Sequence, residues 1–561
     1  MDNTHASGGA YEIFRSSETN GQRSSEYNTQ HRASMEQWRE SIRESKKLQS
    51  SMSMSGLDGR VSEFRVIVPA EKSDCHSETK RDYKGRIRTW PGILFLLCIV
   101  GGAVCGIFFG AREARAGARA RTAAYASRVY KKHSGTLVNG IPGSDASDGQ
   151  IGNPETYATS SCELPNYISK NGKIYSVSKN GTEVAIGLKG LNWFGMETGV
   201  GVPLGMWTND RNGTTAYAIA QFIQENKFNA VRLPVCITTI LKNTPPIQGL
   251  VNTNLNRAID ISTYMSTLKS IIQTLAYRNI GVLISLHTLT PMASGGTWYD
   301  DSLGITKADY LKAVSILTKN LCSASYWNII GLDAKNEPHK STWADFAAGA
   351  ATIGTQMLSG CPSWLVFVEG VNGAHTVTAN GSTIAYFDWW GGGLQDAGAT
   401  PVKLDTPNKL VYAPHYYTPA VSPQAYFYGP GNTELDDATL KSRIKITAYD
   451  MFGYLNAKQR EAMVLGEFGG LYTNDEHPLK TTKRCTDFLI EVLLEEKYAG
   501  GFMWSLNPES AYQYNPGWVA GTFTEGLVLD NWLTPNKVFL KGMAAMDKLP
   551  DLKPFPCFPA K

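Results

Sequence analysis

Two glutamates, each at the end of a hydrophobic run, are the residues of this chain best placed for chemistry. Glu337 follows the run at residues 329–336, and Glu467 follows Met463-Val464-Leu465-Gly466. Short apolar runs of this kind are typical of buried strands. In a barrel of parallel strands, the active site lies at the C-terminal strand ends. Two facing carboxyl groups at that position are the groups needed to hydrolyse a glycosidic bond.

Hydrolysis with retention of anomeric configuration assigns different roles to the two carboxyl groups. One protonates the leaving oxygen, and the other attacks the anomeric carbon from about 5–5.5 Å away. The acid needs a raised pKa, whereas the nucleophile must stay ionised. Arg232 also lies in an apolar run, and its fixed positive charge could keep a neighbouring Glu467 ionised.

Eight apolar runs suit strands, because each is short and most end in a polar or aromatic residue. Amphipathic stretches of helical length separate them, for instance 264–278, 307–321 and 487–497. Strands that alternate with helices predict an α/β fold, a (β/α)8 TIM barrel with loop insertions. The predicted strands are 184–193, 230–234, 281–287, 329–336, 364–369, 410–415, 462–467 and 500–504.

A doubly wound open sheet is the alternative fold. It would need a glycine-rich phosphate loop after the first strand, and Gly190-Leu191-Asn192-Trp193-Phe194-Gly195 does not provide one. Before that strand, the turn signals Asn171-Gly172 and Asn180-Gly181 predict hairpins. We expect these hairpins to cover one end of the barrel.

The ends of the predicted strands concentrate polar, ionisable and aromatic side chains, which are costly on apolar strands unless they are paired. A structural role could account for one or two of them, but ten on one rim indicate a site. His415 and Tyr417 can hydrogen-bond to the nucleophile. Asn336 can bind a sugar hydroxyl, and Trp504 offers a flat face to a pyranose ring. The ten are Asn192, Arg232, His287, Asn336, Glu337, Glu369, His415, Tyr417, Glu467 and Trp504.

Six motifs follow one another at barrel spacing: Gly190-Leu191-Asn192-Trp193-Phe194-Gly195, Val231-Arg232-Leu233-Pro234, Asp333-Ala334-Lys335-Asn336-Glu337-Pro338-His339, Ala413-Pro414-His415-Tyr416-Tyr417, Gly466-Glu467-Phe468-Gly469-Gly470 and Trp504-Ser505-Leu506-Asn507-Pro508. Together they resemble glycoside hydrolase family 5 and, within it, the endo-β-1,4-glucanases. Asn-Glu-Pro alone would be weak, but six motifs in family order are specific. The resemblance covers roughly residues 165–548.

The resemblance implies a role for each matching residue. It makes Glu337 the acid/base and Glu467 the nucleophile. Ser285 stands where an acidic residue is commoner, which leaves a core role open for His287. The resemblance places the following residues in the substrate site: Arg232, His287, Asn336, His415, Tyr417 and Trp504.

Neither a metal nor a cofactor is expected, because the histidines of residues 161–561 show no repeated pairing with Cys or carboxylates at ligand spacing. Further aromatic residues near the strand ends could be sugar platforms or could simply pack. They are Trp193, Trp207, Trp298, Trp389 and Trp390.

The N-terminal part differs in composition. Residues 1–91 are polar and Ser-rich, which predicts a disordered tail, either merely solvated or with a partner-binding or phosphorylated segment. Residues 92–111 carry no charge, and twenty such residues match the roughly 30 Å hydrocarbon core of a bilayer. Polar, Arg-rich flanks favour a transmembrane helix over a buried core helix. Residues 112–160 read as a flexible linker, and 161–561 hold the barrel.

Charge is distributed unevenly along the chain. The net charge of +4 combines +8 over residues 1–135 with −4 over the remainder. A mildly acidic barrel domain makes nucleic acid an unsuitable partner, whereas the basic leader suits the surface of a lipid bilayer. Since the first sixty residues lack an apolar stretch, the predicted helix would be an uncleaved signal anchor.

Basic residues on the two sides of the predicted helix nearly balance, so other features must set its orientation. The acceptor sites Asn180, Asn212 and Asn380 all follow the helix. Six cysteines also follow it, which suggests disulfides, with buried free thiols as the alternative. Cys322 and Cys361 each end a predicted helix just before a strand and form the favoured pair. These features predict a type II protein whose catalytic domain is extracellular or lumenal.

The leading hypothesis is a membrane-anchored hydrolase that cleaves internal β-1,4 bonds of a cellulose-like polysaccharide. The resemblance also allows another substrate. The same catalytic residues could instead act on β-1,3-glucan, mannan or a glycolipid headgroup. A catalytically inactive carbohydrate-binding protein is the alternative from another class.

Overall fold

The computed structural model describes residues 154–157, 161–209, 211–458 and 460–560, together with short paired strands at Leu137–Val138 and Ile141–Pro142. All of them belong to one structural unit, Ala124–Lys561. The predicted tail, the predicted span at 92–111 and most of the predicted linker lie outside these residues. Within the described part of the chain, no helix is both long and apolar enough to cross a bilayer.

An antiparallel sheet of three strands precedes the barrel. It is built from Asn166–Lys170, Lys173–Val177 and Glu183–Ile186. Tyr167 is fully buried, and its hydroxyl donates to the Trp327 carbonyl oxygen at 3.0 Å, immediately before a barrel strand. The sheet therefore closes the N-terminal end of the barrel, and the predicted hairpin cover is confirmed.

Eight parallel strands form a closed ring, so the predicted (β/α)8 barrel is confirmed. The sixth position is divided into two strands around Pro414, which has no N–H for a ladder hydrogen bond. Barrel strands 1 to 8 are Leu188–Asn192, Ala230–Cys236, Gly281–Thr288, Ile329–Asp333, Leu365–Val368, Leu410–Tyr412 with His415–Tyr417, Ala462–Gly469 and Gly500–Met503.

The first predicted strand, 184–193, is wrong in one respect: the structure divides it between the covering sheet and barrel strand 1. The division falls at Gly187, where a Cβ would lie 2.2 Å from the backbone oxygen of Pro550. The chain changes sheets there, pressed against a C-terminal segment. Apolar periodicity runs across Gly187 without a break, so the sequence could not show this change.

Six of the nine α-helices described begin at a side-chain cap. Thr306 accepts from the Asp309 N–H, and the Asp309 carboxylate accepts from the Thr306 N–H, a reciprocal pair that satisfies free helix donors. The helix predicted at 307–321 is confirmed, whereas the one predicted at 487–497 begins six residues earlier. The helices are Ala216–Glu225, Ile237–Lys242, Tyr264–Tyr277, Lys307–Leu321, Trp343–Gly360, Asp437–Ala448, Tyr454–Asn456, Thr481–Glu495 and Lys537–Met543.

Four of the six cysteines pair. Cys322 and Cys361 form the predicted disulfide, with Cα atoms 5.6 Å apart, because each ends a helix at the bottom of adjacent strands. A second disulfide, Cys162–Cys557, ties the start of the covering sheet to the C-terminal segment. Cys236 and Cys485 are buried free thiols. Both interpretations of the cysteines therefore apply, to different residues.

Two hairpins that the strand pattern did not predict rise from the C-terminal face. Ala374–Ala379 pairs with Ser382–Phe387 after barrel strand 5. Ala511–Tyr514 pairs with Ala520–Thr524 after barrel strand 8. Packing also begins earlier than the predicted linker boundary at 160, since the Tyr157 ring lies 5.1 Å from that of Tyr277.

Candidate active site

Glu337 and Glu467 meet at the C-terminal face of the barrel. Glu467 lies within barrel strand 7, and Glu337 lies four residues beyond the end of strand 4. One carboxylate oxygen of each, together with a ring nitrogen of His415, lies within 4.8 Å of the others. The Glu467 side chain is 4% exposed and the Glu337 side chain 21% exposed. Glu467 and Glu337 are therefore close enough to act on the same bond, and Glu337 is the one more open to solvent.

The buried guanidinium of Arg232 joins the strands beneath this pair. It is fully buried and contacts the Glu467 carboxylate. Its Nε and Nη2 donate to Asp333 Oδ2 at 3.0 and 2.7 Å. Nη1 donates to Asn192 Oδ1 at 2.9 Å, and Nη2 donates to Asn336 Oδ1 at 2.7 Å. A planar cation with five fixed donors can orient all these groups at once.

Glu369, at the end of barrel strand 5, completes the buried charge cluster. Its Oε1 lies 3.0 Å from Arg232 Nη2 and 3.0 Å from His415 Nε2. Its Oε2 accepts from the Glu337 N–H at 2.7 Å. Burial and the Asp333 carboxylate raise the pKa of Glu369. Arg232 and the Glu337 N–H are donors, and His415 faces the same carboxyl group, so these three contacts favour the ionised form of Glu369.

His415 is the second buried cation of the site. Burial by itself lowers the pKa of His415, but the facing Glu369 and Glu467 carboxylates outweigh it and raise the pKa to about 10. Its Nδ1 lies 3.2 Å from Glu337 Oε1 and 3.7 Å from Glu467 Oε2. The imidazolium therefore lies between the two candidate catalytic groups and contacts both. Sequence reasoning placed His415 beside Glu467, and the structure places it beside Glu337 as well.

Glu467 is held by charge and by one hydroxyl group. Burial raises the pKa of the Glu467 carboxyl above its usual range, although His415, Arg232 and the donated hydroxyl of Tyr417 each act to lower it. These lowering contacts all favour the ionised form that a nucleophile requires. The predicted partnership of Glu467 with Arg232 and Tyr417 is present.

The backbone at Glu337 takes an uncommon conformation, with φ of 49°. Its N–H is held by Glu369, and its carbonyl oxygen lies 2.8 Å from His339 Nδ1. Lys335, fully buried, reaches the Ser294 hydroxyl at 3.2 Å and the carbonyl oxygens of His287 and Asn336. Burial lowers the pKa of Lys335 to about 8. These contacts fix the segment that carries the candidate acid.

Aromatic rings form a wall beside the carboxyl pair. Trp504 stacks on Phe194 with centroids 5.4 Å apart and planes 7° apart, and on His287 at 5.9 Å and 17°. On the Glu337 side, Trp390 is 39% exposed and stacks on His339 at 3.8 Å. Burial lowers the pKa of His339 to about 4, so its ring is neutral at pH 7. Flat faces therefore flank both glutamates.

The structure brings all eight predicted site residues to this face but changes the position of some. Arg232 and His415 are fully buried beneath the carboxyl pair, so they position other groups and do not line the cleft. Of the five further tryptophans, Trp193, Trp298 and Trp389 are buried and pack in the interior. Trp390 is the one with a well-exposed face.

Several contributors were missed or given no role. Asp333 and Lys335 alternate with Glu337 along the fourth strand and its extension, and that period of two was a usable signal. Glu369 was noticed only as a strand end. Glu197, buried in the loop after strand 1, accepts from the Gly195 N–H at 2.7 Å, and burial raises its pKa to about 7. No sequence feature marked Glu197.

Residues 177–510, more than half of the chain and including both glutamates, match the family described as Cellulase (glycosyl hydrolase family 5). The chain belongs to glycosyl hydrolase family 5. Relatives of this family 5 chain include the major extracellular endoglucanase of Xanthomonas campestris, 31% identical over 352 residues. That match covers 62% of this chain and 64% of the relative's length. An endoglucanase of Paenibacillus polymyxa is 27% identical over 381 residues, covering 66% and 84%.

Solved structures agree with this family assignment. An endocellulase variant of Pyrococcus horikoshii in complex with cellotetraose is 27% identical, with a TM-score of 0.57, and covers 69% of this chain and 99% of its own. The catalytic domain of the Xanthomonas campestris endoglucanase has a TM-score of 0.55 at 27% identity, covering 68% and 99%. The family 5 barrel is thus shared over nearly the full length of these structures.

The Tyr417 hydroxyl generates a pH prediction for this family 5 site. Because it donates to the Glu467 carboxylate, Tyr417→Phe should raise the pKa of Glu467. The nucleophile must be ionised, so the acidic limb of kcat/KM should move to higher pH. The measurement is the pH profile on an aryl glycoside that needs no leaving-group protonation. Tyr416→Phe, a buried neighbour bonded to Thr447, is the matched control. An acidic limb that stays in place or moves to lower pH would contradict this view of Glu467.

Proposed function

We propose that this chain is a retaining endo-β-1,4-glucanase that acts on cellulose-like β-glucan. The observation that carries the proposal is the placement of the Glu337 and Glu467 carboxylate oxygens within 4.8 Å. Retaining glycosidases hold their carboxyl groups about 5–5.5 Å apart, whereas inverting ones need about 6.5–9.5 Å to admit a water molecule. The endoglucanase names of the relatives support β-glucan, and the cellotetraose complex of the similar endocellulase supports the β-1,4 linkage.

In the first step, the ionised Glu467 attacks the anomeric carbon and forms a carbon–oxygen bond to it. The glycosidic carbon–oxygen bond breaks, and Glu337 gives its proton to the departing oxygen. Glu467 suits the attack because it is the buried, Arg232-bound member of the pair. Glu337 suits proton transfer because its side chain reaches the open cleft.

In the second step, the ionised Glu337 takes a proton from water, and the resulting hydroxide attacks the same anomeric carbon. The bond to Glu467 breaks, which restores both carboxyl groups to their starting forms. Throughout, His415 faces both glutamates, so its positive charge stabilises whichever of them is ionised. Arg232, hydrogen-bonded to Asn192, keeps the Glu467 carboxylate in position.

Substrate contacts follow from what the cleft exposes. Trp504, supported by Phe194, offers a flat apolar face next to Glu467. His287, half-buried beside the Trp504 ring, supplies a polar group for a sugar hydroxyl, whereas Asn336 is buried and accepts from Arg232. Trp390 lies on the Glu337 side of the cleft. Because Glu337 protonates the leaving group, the Trp390 ring suits the part of the glucan that leaves.

We extend the proposal to location: residues 92–111 anchor the protein in a membrane, and the barrel lies on the extracellular or lumenal side. The uncharged run supports the anchor. Two disulfides in the barrel domain support an oxidising compartment.

The glutamates give a test of the roles. Glu467→Gln should lose nearly all activity, because the nucleophile's charge is gone. Glu337→Ala should slow cleavage of β-glucan by about 10²–10⁴-fold and retain cleavage of aryl glycosides with activated leaving groups. With such substrates, azide should raise turnover: it enters the space of the lost carboxyl group and bonds to the anomeric carbon while the bond to Glu467 breaks.

The control is Glu491→Gln, an exposed helix position that should behave as wild type. If the two variants behave the other way round, Glu337 is the nucleophile and Glu467 is the acid/base. A panel of β-1,4-glucan, β-1,3-glucan, mannan and glycolipids identifies the substrate, and activity confined to one of the last three would overturn the β-1,4 assignment.

Glycan attachment tests the orientation. Asn180 and Asn380 are exposed at hairpin turns, whereas the Asn212 amide oxygen accepts from Trp207 Nε1 at 3.2 Å and is half-buried. In glycosylating cells, we expect sugars on Asn180 and Asn380 and little on Asn212. Endoglycosidase treatment should increase gel mobility, and Asn180→Gln with Asn380→Gln should abolish that shift. An unshifted wild-type chain, or sugars found only within residues 1–91, would contradict the orientation.

A further inference from the structure

The hairpin after barrel strand 8 carries a tryptophan at its tip. The strands Ala511–Tyr514 and Ala520–Thr524 are joined by residues 515–519. The Asn515 N–H donates to the Val519 carbonyl oxygen at 3.0 Å, and the Val519 N–H donates to that of Pro516 at 3.0 Å. Trp518 lies within this turn with φ of 74°.

A left-handed backbone at a bulky aromatic residue is unfavourable, and glycine or asparagine is usual at such turn positions. Trp532 shares the conformation, with φ of 57°, but is 3% exposed and donates to Glu509 Oε1 at 2.8 Å. At Trp532, burial of the ring offsets the cost of the left-handed backbone. Trp518 is 49% exposed, and its ring lies 6.0 Å from that of Tyr428, so packing offers less compensation than at Trp532. Strain retained at an exposed residue points to function.

Buried groups from two neighbouring loops hold the tip in place. The Gly517 N–H donates to His477 Nε2 at 2.8 Å. The same nitrogen lies 2.9 Å from the Tyr428 hydroxyl, and His477 Nδ1 lies 2.7 Å from Asp475 Oδ1. His477 and Asp475 are both buried. Trp518 is therefore presented by a fixed turn.

The base of the hairpin is continuous with the catalytic site. Tyr512 is buried, and its hydroxyl donates to the Trp504 carbonyl oxygen at 3.0 Å. The Gln513 N–H donates to the Ala420 carbonyl oxygen at 2.9 Å, in the loop after barrel strand 6. The hairpin therefore rises from the rim of the catalytic site, directly beside Trp504.

We propose that Trp518 is a binding platform for one glucosyl unit of a long β-glucan chain, beyond the units held at the two glutamates. This inference rests on the proposed function and adds a remote sugar site to it. One indole face matches one pyranose ring in size. Trp518 and its exposed neighbour Val519 are too few for a stable protein interface, which takes roughly 800 Å² from each partner.

Trp518→Gly in the full-length protein separates binding from folding. Glycine relieves the left-handed backbone, so the melting temperature should stay the same or rise. KM for a long soluble β-1,4-glucan should rise about five- to tenfold, the loss expected for one aromatic contact. On an aryl cellobioside, which fills only the reacting site, kcat/KM should stay within about twofold of wild type. Trp518→Ala should reproduce the binding loss.

The control is Tyr449→Ala, which removes a ring that is 51% exposed beside the helix Asp437–Ala448 and should leave both substrates unaffected. Unchanged KM for the long glucan in Trp518→Gly would overturn the proposal. Equal losses on both substrates, or a lower melting temperature, would also overturn it by showing a structural role. If the wild type cleaves no β-glucan, the proposed function fails separately. In that case, binding to immobilised β-glucan tests the role of Trp518. Equal retention of the wild type and Trp518→Gly would overturn the proposal.

Discussion

One buried guanidinium determines the geometry of the site. Arg232 contacts the carboxylates of Asp333, Glu369 and Glu467, which come from barrel strands 4, 5 and 7. Burial alone disfavours its charge, yet these carboxylates raise the pKa of Arg232 well above its usual range. Removing one partner of such a buried pair costs about 3–5 kcal/mol, because the other charge is left uncompensated. The strand ends are therefore held together by the same charges that the chemistry uses.

A second cation balances the cluster and links it to the reaction. Three carboxylates face Arg232, and His415 supplies the additional positive charge between Glu369 and the two catalytic candidates. Glu369 also accepts from the Glu337 N–H, so the left-handed backbone of Glu337 depends on the cluster. The nucleophile and the acid thus share one electrostatic support, which explains how two carboxyl groups stay close in a buried setting.

The sequence predicted the parts of this account that depend on local pattern. Apolar runs located the strands, and the polar residues that end them located the site, because strand ends of a parallel barrel share one face. Contacts between segments that are distant along the chain could not be predicted from the sequence. The transfer of the chain between sheets at Gly187 depends on Pro550, and the bridge of Glu369 to the Glu337 backbone depends on closure of the barrel. The left-handed Trp518 depends on His477 from another loop, so no local pattern could reveal it.

The central claim is that Glu467 attacks the sugar directly, with Glu337 as its acid and base. NMR spectra recorded in the first minutes of β-glucan hydrolysis, before mutarotation, test it most directly. Two successive displacements at the anomeric carbon predict that the new reducing end forms as the β-anomer. An α-anomer formed first would mean that water attacks in a single displacement, and it would contradict the role of Glu467 as nucleophile.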